Sequence, residues 1–92
     1  MMKSLMRVDQ LSGMNDDVLL KAYANGIPEA SQILTDRFMS KIFTQAFHRV
    51  LNEADADDIA QEAMLRLWRI APNWKQGNAK ISTWLYKIVN NL

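Results

Sequence analysis

Apolar residues recur every three or four positions along most of the chain, the spacing that gathers side chains on one face of an α-helix. The longest such run begins near Pro28, a residue suited to the first turn of a helix, and continues to about Leu51. Its apolar face is made of Ile33, Leu34, Phe38, Ile42, Ala46, Phe47 and Val50. The pattern predicts one long helix in this part of the chain.

A shorter helix is predicted before it, over about Val18–Asn25. Asn15-Asp16-Asp17 supplies an N-cap and an acidic first turn, and Gly26 can adopt the left-handed conformation that ends helices. The preceding residues show no apolar period, so residues 1–15 are expected to form a flexible N-terminus.

A third helix is predicted over about Ala56–Ala71. Asp55 is its expected N-cap, and Asp58 completes a shortened capping box. Pro72 stops this helix, because the residue before a proline disfavours the helical conformation. A polar loop over 73–80 follows.

A last helix is expected after the loop, capped by Ser82 or Thr83. Its apolar stripe is Ile81, Leu85, Ile88 and Leu92. No glycine or proline stops this helix before the sequence ends, so the chain is expected to be part of a longer protein. Together these patterns predict an all-α fold, a compact bundle of about four helices.

The composition is that of a small folded domain. Hydrophobic residues make up 49% and charged residues 23% of the 92 residues, which is typical of one globular domain and not of a disordered tail. The sequence has no cysteine, which excludes disulfides and thiolate zinc sites. No apolar run reaches the roughly 18 residues of a membrane span, so a cytoplasmic protein without membrane insertion is expected.

Charge is divided unevenly between the two parts of the chain. Residues 1–64 carry all 10 acidic residues against six basic ones, whereas residues 65–92 carry five basic residues and no acidic one. A basic end joined to an acidic body indicates two different partners, one of them polyanionic. Chance clustering in a short chain is the alternative.

The outer side of the third helix combines an apolar centre with a polar rim. Opposite the apolar stripe stand Asp58, Glu62, Leu65 and Arg69, with Gln61 and Trp68 on one flank. A leucine surrounded by charges and an amide is typical of a protein–protein contact. An ordinary exposed leucine on a solvated face is the alternative.

Rings and cations alternate over the last loop and helix. The rings and cations are Trp74, Lys75, Lys80, Trp84, Tyr86 and Lys87, and the uncharged polar residues among them are Asn78, Ser82, Thr83, Asn90 and Asn91. Lysines neutralise phosphates, a ring can stack on an unpaired base, and amides or hydroxyls can read its edge. The segment is therefore suited to single-stranded nucleic acid, although tryptophans at a helix margin also commonly belong to a core.

Catalytic chemistry is not indicated. His48 is the single histidine and has no nucleophile near it in the sequence pattern. The aspartates at 55, 57 and 58 lack the glycine and the distal glutamate of a calcium loop, and no glycine-rich phosphate loop is present. We expect no enzyme, no cofactor and no metal site.

Two motifs in order resemble a known family. Residues 55–69, DADDIAQEAMLRLWR, resemble the D-A-E-D-x-x-Q-E-x-F-x-x-x-W run of extracytoplasmic-function sigma factors of the sigma-70 family. Residues 77–91 are similar to their G-x-x-F-x-T-W-L-Y-R-I-A-R-N segment, and residues 19–30 to their opening L-L-x-x-x-x-x-G-D-x-x-A-F. The resemblance implies that residues 16–92 form region 2 of such a factor.

The resemblance implies a polymerase contact on the third helix. In the family, the D-x-x-Q-E face, here Asp58, Gln61 and Glu62, docks on the β′ clamp helices of RNA polymerase core. Leu65 and Arg69 lie on the same face and complete the predicted polymerase-binding set.

The resemblance also implies a promoter contact. The family's loop before T-W-L, here roughly Trp74–Ser82, captures a base flipped from the non-template strand of the −10 element, and the next helix contacts the −10 DNA. The predicted DNA-binding residues are Trp74, Lys75, Asn78, Lys80, Ser82, Thr83, Trp84, Lys87, Asn90 and Asn91. An anti-sigma factor covering both surfaces is the expected regulator.

The sequence departs from the family pattern at several positions. Asn90 stands where an arginine is usual, so one phosphate contact is expected to be lost, and Ile81-Ser82 replaces the usual phenylalanine before T-W-L. Met64 replaces another phenylalanine, which a core tolerates. The helix-turn-helix domain that reads the −35 element in the family (region 4) is not expected within these 92 residues. A sigma-like interaction module without DNA recognition is the alternative function.

Overall fold

The chain is described here by a computed structural model that covers residues 10–75, 77 and 79–92. Four α-helices follow one another in it: α1 (Asp16–Ala24), α2 (Glu29–Val50), α3 (Glu53–Ile70) and α4 (Ile81–Asn91). A 3-10 turn, Ala71–Asn73, follows α3 directly. No described residue lies in a strand, and the predicted all-α bundle is confirmed. None of the described helices has the length and apolarity that crossing a membrane requires.

The long helix α2 supports the other three, because α1, α3 and α4 all pack on it. Leu34, Phe38 and Ile42 of α2 are buried at the centre of these contacts. α3 packs on α2, and its buried side carries alanines that are 0% exposed, including Ala56, Ala60 and Ala63. Such small side chains allow two helices to approach closely. The outer sides of α3 and α4 are thereby held in fixed positions on one support.

The start of α1 agrees with its predicted cap, whereas the start of α3 does not. Asn15 Oδ1 accepts a hydrogen bond from the Val18 N–H at 2.9 Å. α3 begins three residues earlier than predicted, because Asn52 and not Asp55 is its N-cap, with Oδ1 accepting from the Asp55 N–H at 2.9 Å. Both residue types cap helices well, and the choice follows from Leu51, which ends α2 in a left-handed conformation and leaves Asn52 extended.

The predicted caps of α4 are wrong. α4 begins at Ile81 with Lys80 at the N-cap position and no side-chain cap, so Ser82 and Thr83 lie in its first turn. Ile81 is 1% exposed, and its burial in the core fixes the start of the helix. The fully buried stripe of α4 is Ile81, Leu85 and Val89, while the predicted stripe residues Ile88 and Leu92 are only partly buried.

The segment before α1 makes contacts that its lack of apolar period did not indicate. Leu11 is 3% exposed and packs in the core. Arg37 of α2 donates hydrogen bonds to the Ser12 carbonyl and to Asp16 Oδ1, each at 2.9 Å. These contacts tie residues 11 and 12 to the bundle, whereas residues 1–9 of the expected flexible N-terminus lie outside the described residues.

Candidate protein and nucleic-acid interfaces

The five residues predicted to bind polymerase share the side of α3 that faces away from the core. We call this set, Asp58, Gln61, Glu62, Leu65 and Arg69, the α3 outer face. Leu65 at its centre is 48% exposed, and Glu62 is the most sheltered of the five. A half-exposed leucine among polar side chains leaves apolar surface that a partner protein could cover.

Glu62 is paired within its own helix. Its Oε2 lies 3.2 Å from Arg66 Nε and 3.6 Å from Arg69 Nη1. Such exposed pairs contribute little to stability, about 0–1 kcal/mol, but they compete with any basic group that a partner brings. Arg66 was not predicted to take part, although its four-residue spacing from Glu62 is the signal that could have found it.

Trp68 does not belong to the α3 outer face, on whose flank it was placed from the sequence. Its ring is half-buried and lies against Tyr23 of α1, with centroids 4.9 Å apart and planes inclined by 46°. This pair joins α1 to α3. Periodicity put Trp68 at the margin of α3 but did not show that Tyr23 of α1 meets it there.

The two tryptophans predicted to contact DNA make contacts within the protein. Trp74 and Trp84 are half-buried and meet edge to face, with centroids 6.0 Å apart and an interplanar angle of 85°. Trp74 Nε1 also donates a hydrogen bond to Asp17 Oδ1 at 3.2 Å. The pair therefore holds the loop against α1 and α4, and neither ring is fully open to a base.

The other predicted DNA residues lie at the surface where the structure describes them. Lys75 and Lys80 are exposed in the loop, and Asn78 lies outside the described residues. We call the exposed residues of the last helix the α4 outer face: Ser82, Thr83, Tyr86, Lys87, Asn90 and Asn91. Tyr86, which was not among the predicted DNA contacts, is 57% exposed and is the most open ring on this helix. Tyr86 could have been predicted as a DNA contact, because it directly precedes Lys87 and lies opposite the buried stripe of α4.

A cleft of about 580 Å³ lies between the start of α1 and the loop before α4. Its lining is Asn15, Asp16, Asp17, Gly77, Ala79, Lys80 and Ser82. Gly77 has φ 88°, a left-handed conformation that glycine adopts without the cost borne by other residues. Arg37 pairs the charge of Asp16, whereas Asp17 accepts from the neutral indole of Trp74 and keeps its negative charge. Lys80 supplies the positive charge of the lining and has no ion pair among the described residues. The cleft coincides with the loop predicted to capture a base.

A polar seam joins α2 to α4 along one edge, and no pattern in the chain predicted it. Gln45 Nε2 donates to the Tyr86 carbonyl at 2.9 Å and to Asn90 Oδ1 at 3.0 Å. One turn farther on, Arg49 donates to the carbonyls of Val89 and Leu92. The residue numbers rise together along both helices, so α2 and α4 run in the same direction, and a cation sits at the carboxyl end of α4, where the helix dipole favours it.

The chain matches a known protein family over most of its length. The family model described as Sigma-70 region 2 matches residues 34–92, which include most of α2 and all of α3 and α4. The chain belongs to the sigma-70 region 2 family. Both outer faces lie inside the matched segment, whereas α1 precedes it.

Curated relatives of the chain are named as RNA polymerase sigma factors. The ECF RNA polymerase sigma factor SigW of Bacillus subtilis is 34% identical over 73 residues, which are 79% of this chain and 38% of the relative. The RNA polymerase sigma-H factor of Pseudomonas aeruginosa is 30% identical over 81 residues, 88% of this chain and 42% of the relative. The ECF RNA polymerase sigma-E factor of Escherichia coli K12 is 28% identical over 78 residues, 85% of this chain and 40% of the relative.

The resemblance to extracytoplasmic-function sigma factors is thus confirmed at the level of the region 2 domain. The sigma-70 region 2 chain spans about two fifths of the length of these relatives. No solved structure matches it significantly.

Proposed function

We propose that this chain is the region 2 part of an RNA polymerase sigma factor and directs polymerase to promoters by holding two partners at once. The α3 outer face binds the β′ clamp helices of the polymerase core. The loop cleft and the α4 outer face bind the non-template strand of the melted −10 element. The observation that carries the proposal is the presence of two chemically different exposed faces on adjacent helices within the family-matched segment.

The polymerase contact is supported by the form of the α3 outer face. Leu65 supplies an apolar centre, and Asp58 and Gln61 stand exposed beside it. Interfaces of this kind draw most of their affinity from a few desolvated apolar anchors, while the charged rim selects the partner. Leu65 is therefore the expected anchor, and the polar residues around it set the register on the β′ clamp helices.

The promoter contact is supported by the charge and shape of the other side. Lys80 and Lys87 lie on either side of the exposed Thr83, and the cleft beside Lys80 opens between the loop and α1. Extracting a base from a stack costs a few kcal/mol, and stacking it on an exposed ring such as that of Tyr86 returns about 1–3 kcal/mol. A captured base would therefore shift the local equilibrium toward melted DNA without any covalent chemistry, so the protein acts as a binding subunit and not as an enzyme.

A region 2 fold that has kept protein binding but lost DNA recognition is the second candidate function. The observation that favours it is the internal pairing of Trp74 with Trp84, which covers part of both rings that were predicted to meet bases. An anti-sigma factor that covers both outer faces fits either function, because it would exclude polymerase and DNA together.

One experiment separates these functions. The chain is incubated with polymerase core, and separately with a labelled single strand of about twelve nucleotides at a series of salt concentrations. The sigma function predicts retention on core and an affinity for the strand that falls steeply with salt as phosphate contacts release counterions. Retention on core with no strand binding at low salt would establish the second candidate, and failure on both arms would overturn the proposal.

A further inference from the structure

The hydrogen bonds of Gln45 fix the direction of its side-chain amide. Its Nε2 lies 2.9 Å from the Tyr86 carbonyl oxygen, a group that can only accept. The amide atom that faces this carbonyl must therefore be the nitrogen. The backbone of α4 thus provides a reference that orients a side chain of α2.

The orientation of Gln45 in turn fixes that of Asn90. The same nitrogen lies 3.0 Å from the Asn90 side chain, so the Asn90 atom facing it must be an acceptor, the oxygen Oδ1. The amide nitrogen Nδ2 is on the other branch of that group and is turned away from Gln45. Asn90 is exposed and no described contact uses this nitrogen, so its N–H groups are left for an acceptor outside the protein.

We propose that Gln45 is a positioning residue for nucleic-acid binding, which makes Asn90 a fixed hydrogen-bond donor on the α4 outer face. The inference rests on the proposed DNA contact of α4 and adds to it a residue of α2. The atoms it would serve are acceptors of a single strand, either phosphate oxygens or acceptors on unpaired bases. An Asn90 turned the other way would present its own oxygen to them and weaken binding.

The arrangement bears on the departure of Asn90 from the family pattern. The usual arginine has donors and no acceptor, so it meets a phosphate correctly in any orientation. Asparagine carries both a donor and an acceptor. It presents its donor to a phosphate reliably only if a neighbouring residue binds its oxygen. Gln45 provides that contact, which would restore the phosphate-type interaction expected to be lost at this position.

A double-mutant cycle on single-strand binding tests the inference. Gln45→Ala and Asn90→Ala should each lower affinity for the labelled strand about three- to tenfold, the worth of one hydrogen bond to a charged or polar acceptor. The double variant should bind no more weakly than Asn90→Ala alone, because both changes remove the same contact. Gln45→Met, which keeps the side-chain length, should repeat the effect of Gln45→Ala.

Two matched controls use amides of the same helices. Gln32 is also on α2, but its Nε2 bonds Asp36 within that helix at 3.1 Å, so Gln32→Ala should leave affinity unchanged. Asn91 is exposed on α4 with no bond to Gln45 among the described contacts, so Asn91→Ala and Gln45→Ala should act additively. A strand with abasic sites distinguishes the two acceptors, since a phosphate contact survives base removal.

Coupling between Gln45 and Asn90 distinguishes positioning from a purely structural role. If Gln45→Ala only loosened α4, it would weaken the strand contacts of Asn90 and Asn91 equally. If the losses of affinity in Gln45→Ala and Asn90→Ala are additive, Gln45 does not position Asn90. The proposed DNA contact of α4 would still stand in that case, provided that Lys87→Ala weakens binding and flattens its salt dependence. If Lys87→Ala changes neither affinity nor salt dependence, the proposed DNA contact itself fails.

Discussion

Asp17 of α1 accepts a hydrogen bond from the indole nitrogen of Trp74, 57 residues farther along the chain, at 3.2 Å. Through this contact a helix outside the family-matched segment holds the loop that leads into α4. The cleft beside that loop is lined by residues of both elements, including Asp17 and Lys80. Its shape therefore depends on a residue that the recognised motifs of α3 and α4 do not contain.

Replacement of Asp17 should loosen the loop without unfolding the bundle. Asp17→Ala removes one acceptor from a half-buried indole, so a loss of about 1 kcal/mol in the free energy of unfolding is expected from urea titration. Single-strand affinity should fall as well, because the cleft is no longer fixed. Asp36→Ala on α2, which removes an equal charge away from the cleft, is the control, and an equal loss of affinity there would contradict a specific role for Asp17.

Trp84 and Tyr86 should separate stability from binding. Trp84 is half-buried against Trp74, so Trp84→Ala should lower both the free energy of unfolding, by about 2–3 kcal/mol, and strand affinity. Tyr86 is 57% exposed, so Tyr86→Ala should leave the urea midpoint almost unchanged while reducing affinity by the value of one stacked base. Tyr86→Phe should retain binding, and unaltered affinity in Tyr86→Ala would remove Tyr86 as a stacking platform.

Charge reversal on the α3 outer face should weaken polymerase binding selectively. Glu62→Lys places a third cation beside Arg66 and Arg69, so we expect at least a tenfold loss of affinity for β′ clamp helices. The helical circular dichroism should stay the same, because the exposed ion pairs contribute little to stability. Asp36→Lys makes the same charge change on α2 and should not affect this binding; equal losses in the two variants would remove the interface assignment.

Leu51 has a strained backbone conformation. It ends α2 with φ 53° and is 75% exposed, so its side chain gains little burial in return for a conformation that costs an L-residue roughly 1 kcal/mol. Leu51→Gly should raise the free energy of unfolding by about 0.5–1 kcal/mol. Leu65→Gly, the same exchange in the middle of α3, should lower it by about 1 kcal/mol, and a decrease in both variants would contradict the strain at Leu51.

Much of the fold, and most residues of the α3 and α4 outer faces, could be predicted because they depend on the spacing of residues along the chain. The period of apolar residues predicted the helices, and counting around α3 placed Leu65 opposite the core. The N-caps of α3 and α4 were missed because Asn52 competes with Asp55 locally and because burial of Ile81 decides where α4 begins. Local propensity cannot rank such tertiary effects.

The roles of the tryptophans and of Gln45 could not be predicted for a different reason. Trp74, Trp68 and Gln45 make contacts that span two helices or a helix and a loop, and these contacts require the relative direction and rotation of whole elements. Periodicity assigns a residue to a side of its own helix but not to the neighbour that side meets.

Because Arg66 and Arg69 already pair with Glu62, we expect binding of the two proposed partners to depend unequally on ionic strength. A basic group arriving from polymerase would replace Arg66 or Arg69, so an ion pair is exchanged and few counterions are set free. A phosphate arriving at Lys80 or Lys87 meets a cation with no such prior neighbour among the described ion pairs, and the nucleic acid sheds its counterions. Rising salt should therefore detach the promoter strand first and leave the domain seated on the enzyme.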